Sequence, residues 1–540
     1  MNPGYLALIL HAHLPYVRHP EHEYFLEETW LYEAITETYI PLLWMMETLT
    51  EEKVDFRLTM SITPTLLAMF NDDLLRRRYA RHLDLLCELA EKETVRTRTF
   101  PDFQPAALMY RERFARAREH YSGRWRRDLA GAFRRMQDAG KLEVLASAAT
   151  HGFLPLLRFN PAAVRAQILV GVQYYHETMG RHPAGIWLPE CGYYPGLEEV
   201  LKDAGLRYFV VDTHALPGPA GGSAHTPFYC PNGTATFARD LESSKQVWSS
   251  VEGYPGDFDY REFYRDIGFD LEFEYIRPYI HPDGIRVNTG IKYYRITGAT
   301  DDKAPYVPER ARRKAELHAA DFLSCRERQA ASAGDAAGRP PIITAPYDAE
   351  LFGHWWFEGP DWLEALIRRI ARRSGAIRLG HPSEYLDSHP LNQVALPGMS
   401  SWGYQGYSNV WLNGANDWIY RHLHAAADRM EELAERFPEA AGAARRALNQ
   451  AARELLLAQS SDWAFIMTRN TAAPYAVQRT KGHLLAFNRL YEMLGRGMNR
   501  EDAVWLEGIE SRNNIFPDLD YRVWRGDYRM PPPLSARAGD

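Results

Sequence analysis

The chain is predicted to be an α/β protein, with parallel strands alternating with helices over its first two-thirds and a helical region after that. Three observations predict it. Short apolar runs alternate with charged helical stretches, the pattern of βα units. The runs are apolar at every position, so both faces of each strand are covered, as in parallel sheets. After about residue 400 the runs stop and helical spacing takes over.

Residues 5–10 form the first predicted strand, bounded by Gly4 and His11. Residues 56–62 form the second and end at Thr63-Pro64. The third is 142–146, closing at Ser147. The fourth is 185–188, stopped by Pro189, and the fifth is 208–211, followed by Asp212. The sixth is 342–345. Between them lie charged helical stretches such as 74–92 and 161–179. Residues 70–140, rich in Arg and Glu, read as a helical insertion between strands. The Ala/Gly-rich stretch 330–340 reads as a mobile surface loop. Beyond residue 400, Leu423, Met430, Leu433 and Phe437 recur at helical spacing, continued at 448–457 and 483–494. The expected division is 1–395, then a helical domain at 396–530, then a Pro-rich flexible tail at 531–540.

Polar and ionisable residues cluster just past these strands: His11 and His13, Thr63, His151, Glu190, Asp212 and Asp348. In parallel α/β folds and barrels the carboxyl ends of the strands are where sites are built. As single residues they also fit caps and turns; six strand ends behaving alike point to an enzyme.

Composition limits the partners. The 540 residues carry a net charge of −7 with no long basic run, which argues against a nucleic-acid or anionic-membrane partner. The aromatic share is 13%, with 14 Trp and 31 Tyr. Most of these rings belong to a large core, but several Trp sit among Gly, Asn and Asp, as sugar-stacking rings do. Cys87, Cys191, Cys230 and Cys325 have neither CxxC spacing nor the density of a disulfide framework. The N-terminus has no basic leader, and the run at 5–10 is too short to span a bilayer. A reduced, cytoplasmic protein is expected.

Two segments carry carboxylates at strand ends. Glu190 follows the fourth strand, with Pro189 fixing the exit and Gly192 expected to permit a tight turn. A carboxylate on a rigid strand end is positioned at little entropic cost, as a nucleophile requires. Asp348 follows the sixth strand, two residues before Glu350, with Phe352, Trp355, Trp356 and Phe357 behind it. Apolar surroundings raise a carboxyl pKa and suit a general acid.

The segments His11-Ala12-His13-Leu14-Pro15-Tyr16, Ala149-Thr150-His151-Gly152, 187–193, 347–359 and Ser460-Ser461-Asp462-Trp463 together resemble glycoside hydrolase family 57, and within it the α-glucan-branching and amylase-type members. The resemblance covers nearly the whole chain. It implies an incomplete (β/α)7 barrel with a helical C-terminal domain completing the cleft. It implies Glu190 as nucleophile and Asp348 as general acid/base of a retaining reaction on α-1,4-glucan. No metal or organic cofactor is implied. Implied substrate contacts are Arg239, Gly256, Trp402 and Asp462. The candidate set extends to His11, His13 and His151, to Trp248 and Trp411 as aromatic subsite residues, and to Trp30 and His354.

Branching members carry a long loop after the fifth strand, with a Tyr near its tip that helps exclude water. Here residues 213–229 are shorter and rich in Gly and Pro, and Tyr229 falls at the loop base. Branching with a hydrolytic component is therefore expected, with an α-amylase-type hydrolase as the alternative. Two other classes compete: a metal-dependent hydrolase or deacetylase using His11, His13, His151 and His354, and a non-catalytic glucan-binding protein.

Overall fold

The computed structural model describes residues 3–216, 223–249, 252–373, 375 and 377–529. Nine strands form one sheet among them. They are β1 Gly4–Ala12, β2 Leu58–Ile62, β3 Leu142–Ser147, β4 Gly185–Trp187, β5 Tyr208–Val211, β6 Phe228–Tyr229, β7 Ala235–Ala238, β8 Ile342–Asp348 and β9 Ile377–Leu379. Seven of these run parallel in the order β7-β5-β4-β3-β2-β1-β8. The two ends of this series then meet. Arg239, one residue past β7, bridges Thr344 of β8 in the parallel sense, and the Asp240 N–H donates to the Thr344 carbonyl at 2.8 Å. The expected incomplete (β/α)7 barrel is present, closed along one seam by a single bridge. β6 adds antiparallel to β7, and β9 pairs with β1 at Gly4–Leu6.

The six predicted strands are all present. The seventh member of the ring, β7, was not predicted, nor were β6 and β9. Ala235-Thr236-Phe237-Ala238 is short and half alanine, a poor strand former by propensity; burial of all four residues makes it a strand.

The period-2 alternation of strands decides what points into the barrel. Tyr5, Ala7 and Ile9 of β1 pack with Leu145, Trp187, Tyr208, Val210, Phe237 and Ile342 as one inner cluster. Two residues further on, the alternation brings His11, Asp212 and Arg239 to the carboxyl-end mouth, and six residues past Ile342 it brings Asp348 there. The polar rim therefore extends the inward-facing core positions.

Helices of the insertion, Asp73–Arg96, Gln104–Arg118 and Leu129–Asp138, lie where expected. The stretch 330–340 does not form the predicted loop. A helix runs Pro308–Ala337, starting on Pro at its first turn and ending on left-handed Gly338. Alanine, read there as loop composition, is the strongest helix former.

The C-terminal region is helical as predicted: Trp418–Arg436, Gly442–Ala458, Ser461–Arg469, Ala473–Arg496 and Arg500–Arg512. It shares one continuous hydrophobic cluster with the barrel helices. Isolated bridges tie Gly152 to Ser460 and Tyr193 to Ser400, and Arg18 donates to the Ser511 carbonyl at 2.7 Å. No helix among the described residues is long and apolar enough to cross a membrane. The tail at 531–540 and the lid residues 217–222 lie outside the described residues.

Candidate active site

At the carboxyl ends of the strands a cavity of about 970 Å³ opens between barrel and helical region. Its walls include His11, His13, His151, Glu190, Arg239 and Asp348 from the barrel, and Trp402, Trp411 and Asp462 from beyond residue 400.

Glu190 sits on the turn Pro189–Cys191 directly after β4, with φ 61° and ψ 24°. Cys191 follows at φ 51°. Two successive non-glycine residues in the left-handed region cost of order 1–3 kcal/mol each, and such strain persists where the surroundings enforce it. Gly192 does not make the turn, as was expected of it; its φ is −73°. Its role is space, since a Cβ there would lie 2.7 Å from the Phe153 ring. The turn lifts the Glu190 carboxylate into the cavity, where two donors meet it. Trp402 Nε1 donates to Oε2 at 2.9 Å and Ser461 Oγ donates to Oε1 at 3.0 Å. Burial raises the Glu190 pKa, and these two hydrogen bonds oppose the rise.

The three motif histidines stack against one another, His13 on His151 with ring centroids 3.8 Å apart. Burial, then the charge of His13, holds His11 well below the ordinary histidine pKa. Burial, His13 and His11 do the same to His151. Both are therefore neutral, and their protons can be assigned. Ser461 has one proton and gives it to Glu190, so its oxygen accepts from His151 Nδ1 at 2.9 Å. The bare His151 Nε2 then accepts from His11 Nε2 at 3.1 Å. The order runs His11 to His151 to Ser461 to Glu190. His13 differs: burial opposes its charge, but Asp462, with both oxygens 3.0 Å from Nε2, wins and raises its pKa.

Asp348 ends β8 opposite His11 in register. Its carboxyl has no hydrogen bond among the described residues. Burial, then the carboxylates of Glu350 and Glu190, push its pKa well above the usual Asp range, with Arg239 opposing. Arg239 is itself held, Nη1 on Asp212 at 3.1 Å and Nε on Ser244 at 2.8 Å. Glu350 accepts from Tyr39 OH and from the His13 N–H. Two carboxyls in different environments thus face one cavity: Glu190 held by two donors, and Asp348 with none and pushed further up by burial and two carboxylates.

The family model for glycosyl hydrolase family 57 matches residues 7–397, and that for the 1,4-alpha-glucan branching enzyme C-terminal region matches 422–524. The chain belongs to glycosyl hydrolase family 57. Among its relatives is a 1,4-alpha-glucan branching enzyme of Thermococcus kodakarensis, 34% identical over 95% of this chain and 77% of that protein. Among solved structures, the alpha-amylase AmyC from Thermotoga maritima superposes with a TM-score of 0.90 at 46% identity, covering 97% of this chain and 99% of that one. The family 57 branching enzyme from Pyrococcus horikoshii gives 0.88 at 34% identity, covering 98% and 99%.

The family 57 candidates distribute unevenly. Trp30, Trp248 and His354 line the cavity. Trp248 is half-buried, its indole N–H turned inward without a partner among the described residues. Trp411 reaches the cavity edge, but it is 1% exposed and its ring lies on Phe153 at 4.3 Å, a packing position. Trp402 serves Glu190 through its N–H. Gly256 closes the turn Tyr254–Gly256 and is absent from the cavity wall. His354 does not join the other histidines; it hydrogen-bonds Glu37 at 2.8 Å. Tyr229 lies in β6 beside a different hollow, with Lys202 and Arg207. Ser461, Glu350, Glu33 and Trp355 were missed. Ser461 adjoins Asp462 in a quoted motif, and Glu350 and Trp355 lie in another, so those three were within reach; Glu33 has no local signal.

His13, His151 and Asp462 bring ligand atoms within 4.8 Å of one another, the set among the described residues able to hold a metal. Their donor atoms are already committed. His13 holds a proton toward Asp462, and both His151 nitrogens are engaged. The donor set fits an ion pair and a hydrogen-bond chain better than a metal.

Proposed function

We propose that this family 57 enzyme acts on α-1,4-glucan with retention, and that its main reaction is transfer to a glucan 6-hydroxyl, forming α-1,6 branches. The observation that carries the reading is the pair of opposed carboxyls: Glu190 held by two donors and Asp348 left without any, its pKa high. Glu190 attacks the anomeric carbon while Asp348 protonates the leaving oxygen. Asp348 then takes the proton of the incoming hydroxyl as the glucosyl–Glu190 ester breaks. Arg239, Trp402, Asp462 and the histidines orient sugar and carboxylates. No metal or cofactor takes part. Residues beyond about 396 belong to the same site as the barrel residues 1–395. Free cysteines at all four positions support a reducing cytoplasmic setting, with glycogen-type glucan as substrate.

A hydrolytic component accompanies transfer. Water, at about 55 M, competes for the glucosyl-enzyme unless a lid excludes it, and the 213–229 segment lacks a tip Tyr. The likeness to an alpha-amylase structure at 46% identity favours hydrolysis as the second reading. The deciding experiment incubates the protein with amylose, debranches the product, and counts new α-1,6 linkages against reducing ends. An excess of linkages supports branching, and reducing ends alone give the amylase reading.

A further inference from the structure

We propose that the exposed rings of Trp355 and Tyr264, with half-buried Phe263 between them, form a track for one glucan chain running out of the cleft, entered past Trp30, Glu33 and His354. The proposal rests on the glucan-active reading above. Trp30, Glu33, His354 and Trp355 all line the active-site cavity, so the track is continuous with it. From there the Trp355 ring lies on Phe263 with centroids 4.7 Å apart and planes at 19°. Tyr264 meets Phe263 edge-on at 5.3 Å. Trp355 is 57% exposed and Tyr264 80%. Contiguous large aromatics left open to water mark a binding surface rather than chance exposure.

The shelf stands on a buried ionic frame. Lys292 lies 4.4 Å from the Phe263 ring centre and donates to the Phe263 carbonyl. His354, 5.3 Å from both the Phe263 and Trp355 rings, is held at Nδ1 by Glu37. Glu37 and Tyr39 share a single π-helical stretch, Ile35–Tyr39, which thereby fixes His354 and Glu350 together. Such π stretches recur at functional sites. Gly353, at φ 117°, lets the Trp355 turn press on this stretch, since a Cβ there would sit 1.8 Å from the Glu37 carbonyl oxygen. The rings are thus pre-positioned, and binding to them costs little ordering.

The occupant follows from the chemistry. The shelf offers flat apolar faces, and Lys292 beneath Phe263 is buried. Glu33 stands at the inner end, and burial pushes its carboxyl up to about 7, so near neutrality it can both donate to and accept from hydroxyls. Apolar C–H faces bordered by hydroxyls are what a glucan chain presents.

The test uses Glu190→Gln protein, so that binding is read without turnover, with long amylose and maltotriose as probes. Trp355→Ala is expected to weaken amylose binding about tenfold, the scale of one aromatic contact, and maltotriose binding less than about twofold. Tyr264→Ala weakens amylose alone, and Trp355→Phe restores most of the Trp355→Ala loss. Equal losses on both probes, or no loss on amylose, overturn the track. If the parent protein neither branches nor cleaves amylose, the functional reading itself falls; a glucan-active parent with an indifferent Trp355→Ala removes only the track.

Discussion

Ser461 donates its hydroxyl to the Glu190 carboxylate at 3.0 Å, across 271 residues of sequence. The helical region therefore holds the proposed nucleophile directly. Ser461→Ala is expected to lower kcat about 10- to 100-fold, the scale of one hydrogen bond to a charged group. The bond favours the charged form, so its loss also moves the acid limb of the kcat profile to higher pH. A kcat loss with an unmoved acid limb would argue for a structural role instead.

Glu190→Gln keeps volume but removes the attacking charge, and its single amide oxygen can accept from only one of the two donors, Trp402 and Ser461. Activity on amylose should fall by several orders of magnitude while the melting temperature stays within about a degree or two. Near-normal activity would remove the double-displacement mechanism.

The pH profile follows from the two carboxyls. Glu190 must be ionised, so the rate falls as pH drops through its pKa, which burial raises. Asp348 must be protonated, so the rate falls as pH rises through its pKa, raised further by burial and by two carboxylates. The limbs belong to the coupled pair. Asp348→Ala should lose the alkaline limb and keep more activity on an activated aryl glycoside than on amylose. Equal losses on both substrates would sink the acid/base assignment.

Glu358, 1% exposed, accepts from the Arg261 N–H, and burial pushes its carboxyl up to about 7. A folded pKa above the unfolded one means that this group stabilises fully below about 4.5, and that its contribution is lost as pH rises through about 7. Glu358→Gln cannot titrate. Its melting temperature should fall less than that of the parent between about pH 5 and pH 8. An identical fall in both proteins refutes the linkage.

Chelators test the histidine cluster. With His13 protonated toward Asp462, dialysis against EDTA should leave amylose activity and melting temperature unchanged. Loss of activity restored by a divalent cation would convert His13, His151 and Asp462 into a metal site.

The sequence was most informative where strands are continuously apolar. β1, β4 and β8 could be read directly, and His11, Glu190 and Asp348 came with them as the residues after each run. β7 was hidden because alanine carries no strand signal, so Arg239 was known only from resemblance. Ser461 was quoted but given no role, because nothing local shows that a serine on a C-terminal helix faces a barrel carboxylate. The frame of Glu37 and Lys292, with Arg261 Nη2 3.9 Å from Glu37, is drawn from a helix and a strand-free segment more than two hundred residues apart. Only folding brings those charges together. The helical stretch 330–337 was misread because alanine and glycine were weighed together, although they pull in opposite directions.

Both hydrogen-bond donors to Glu190, Trp402 and Ser461, come late in the chain. A ribosome adding about 5–20 residues per second needs roughly 15 to 50 seconds to travel the 271 residues from Glu190 to Ser461. For most of that interval the proposed acid, Asp348, has yet to be made, and for all of it the Ser461 donor to Glu190 is missing. The proposed nucleophile thus gains its full pair of hydrogen-bond donors only after the C-terminal helices have emerged and docked.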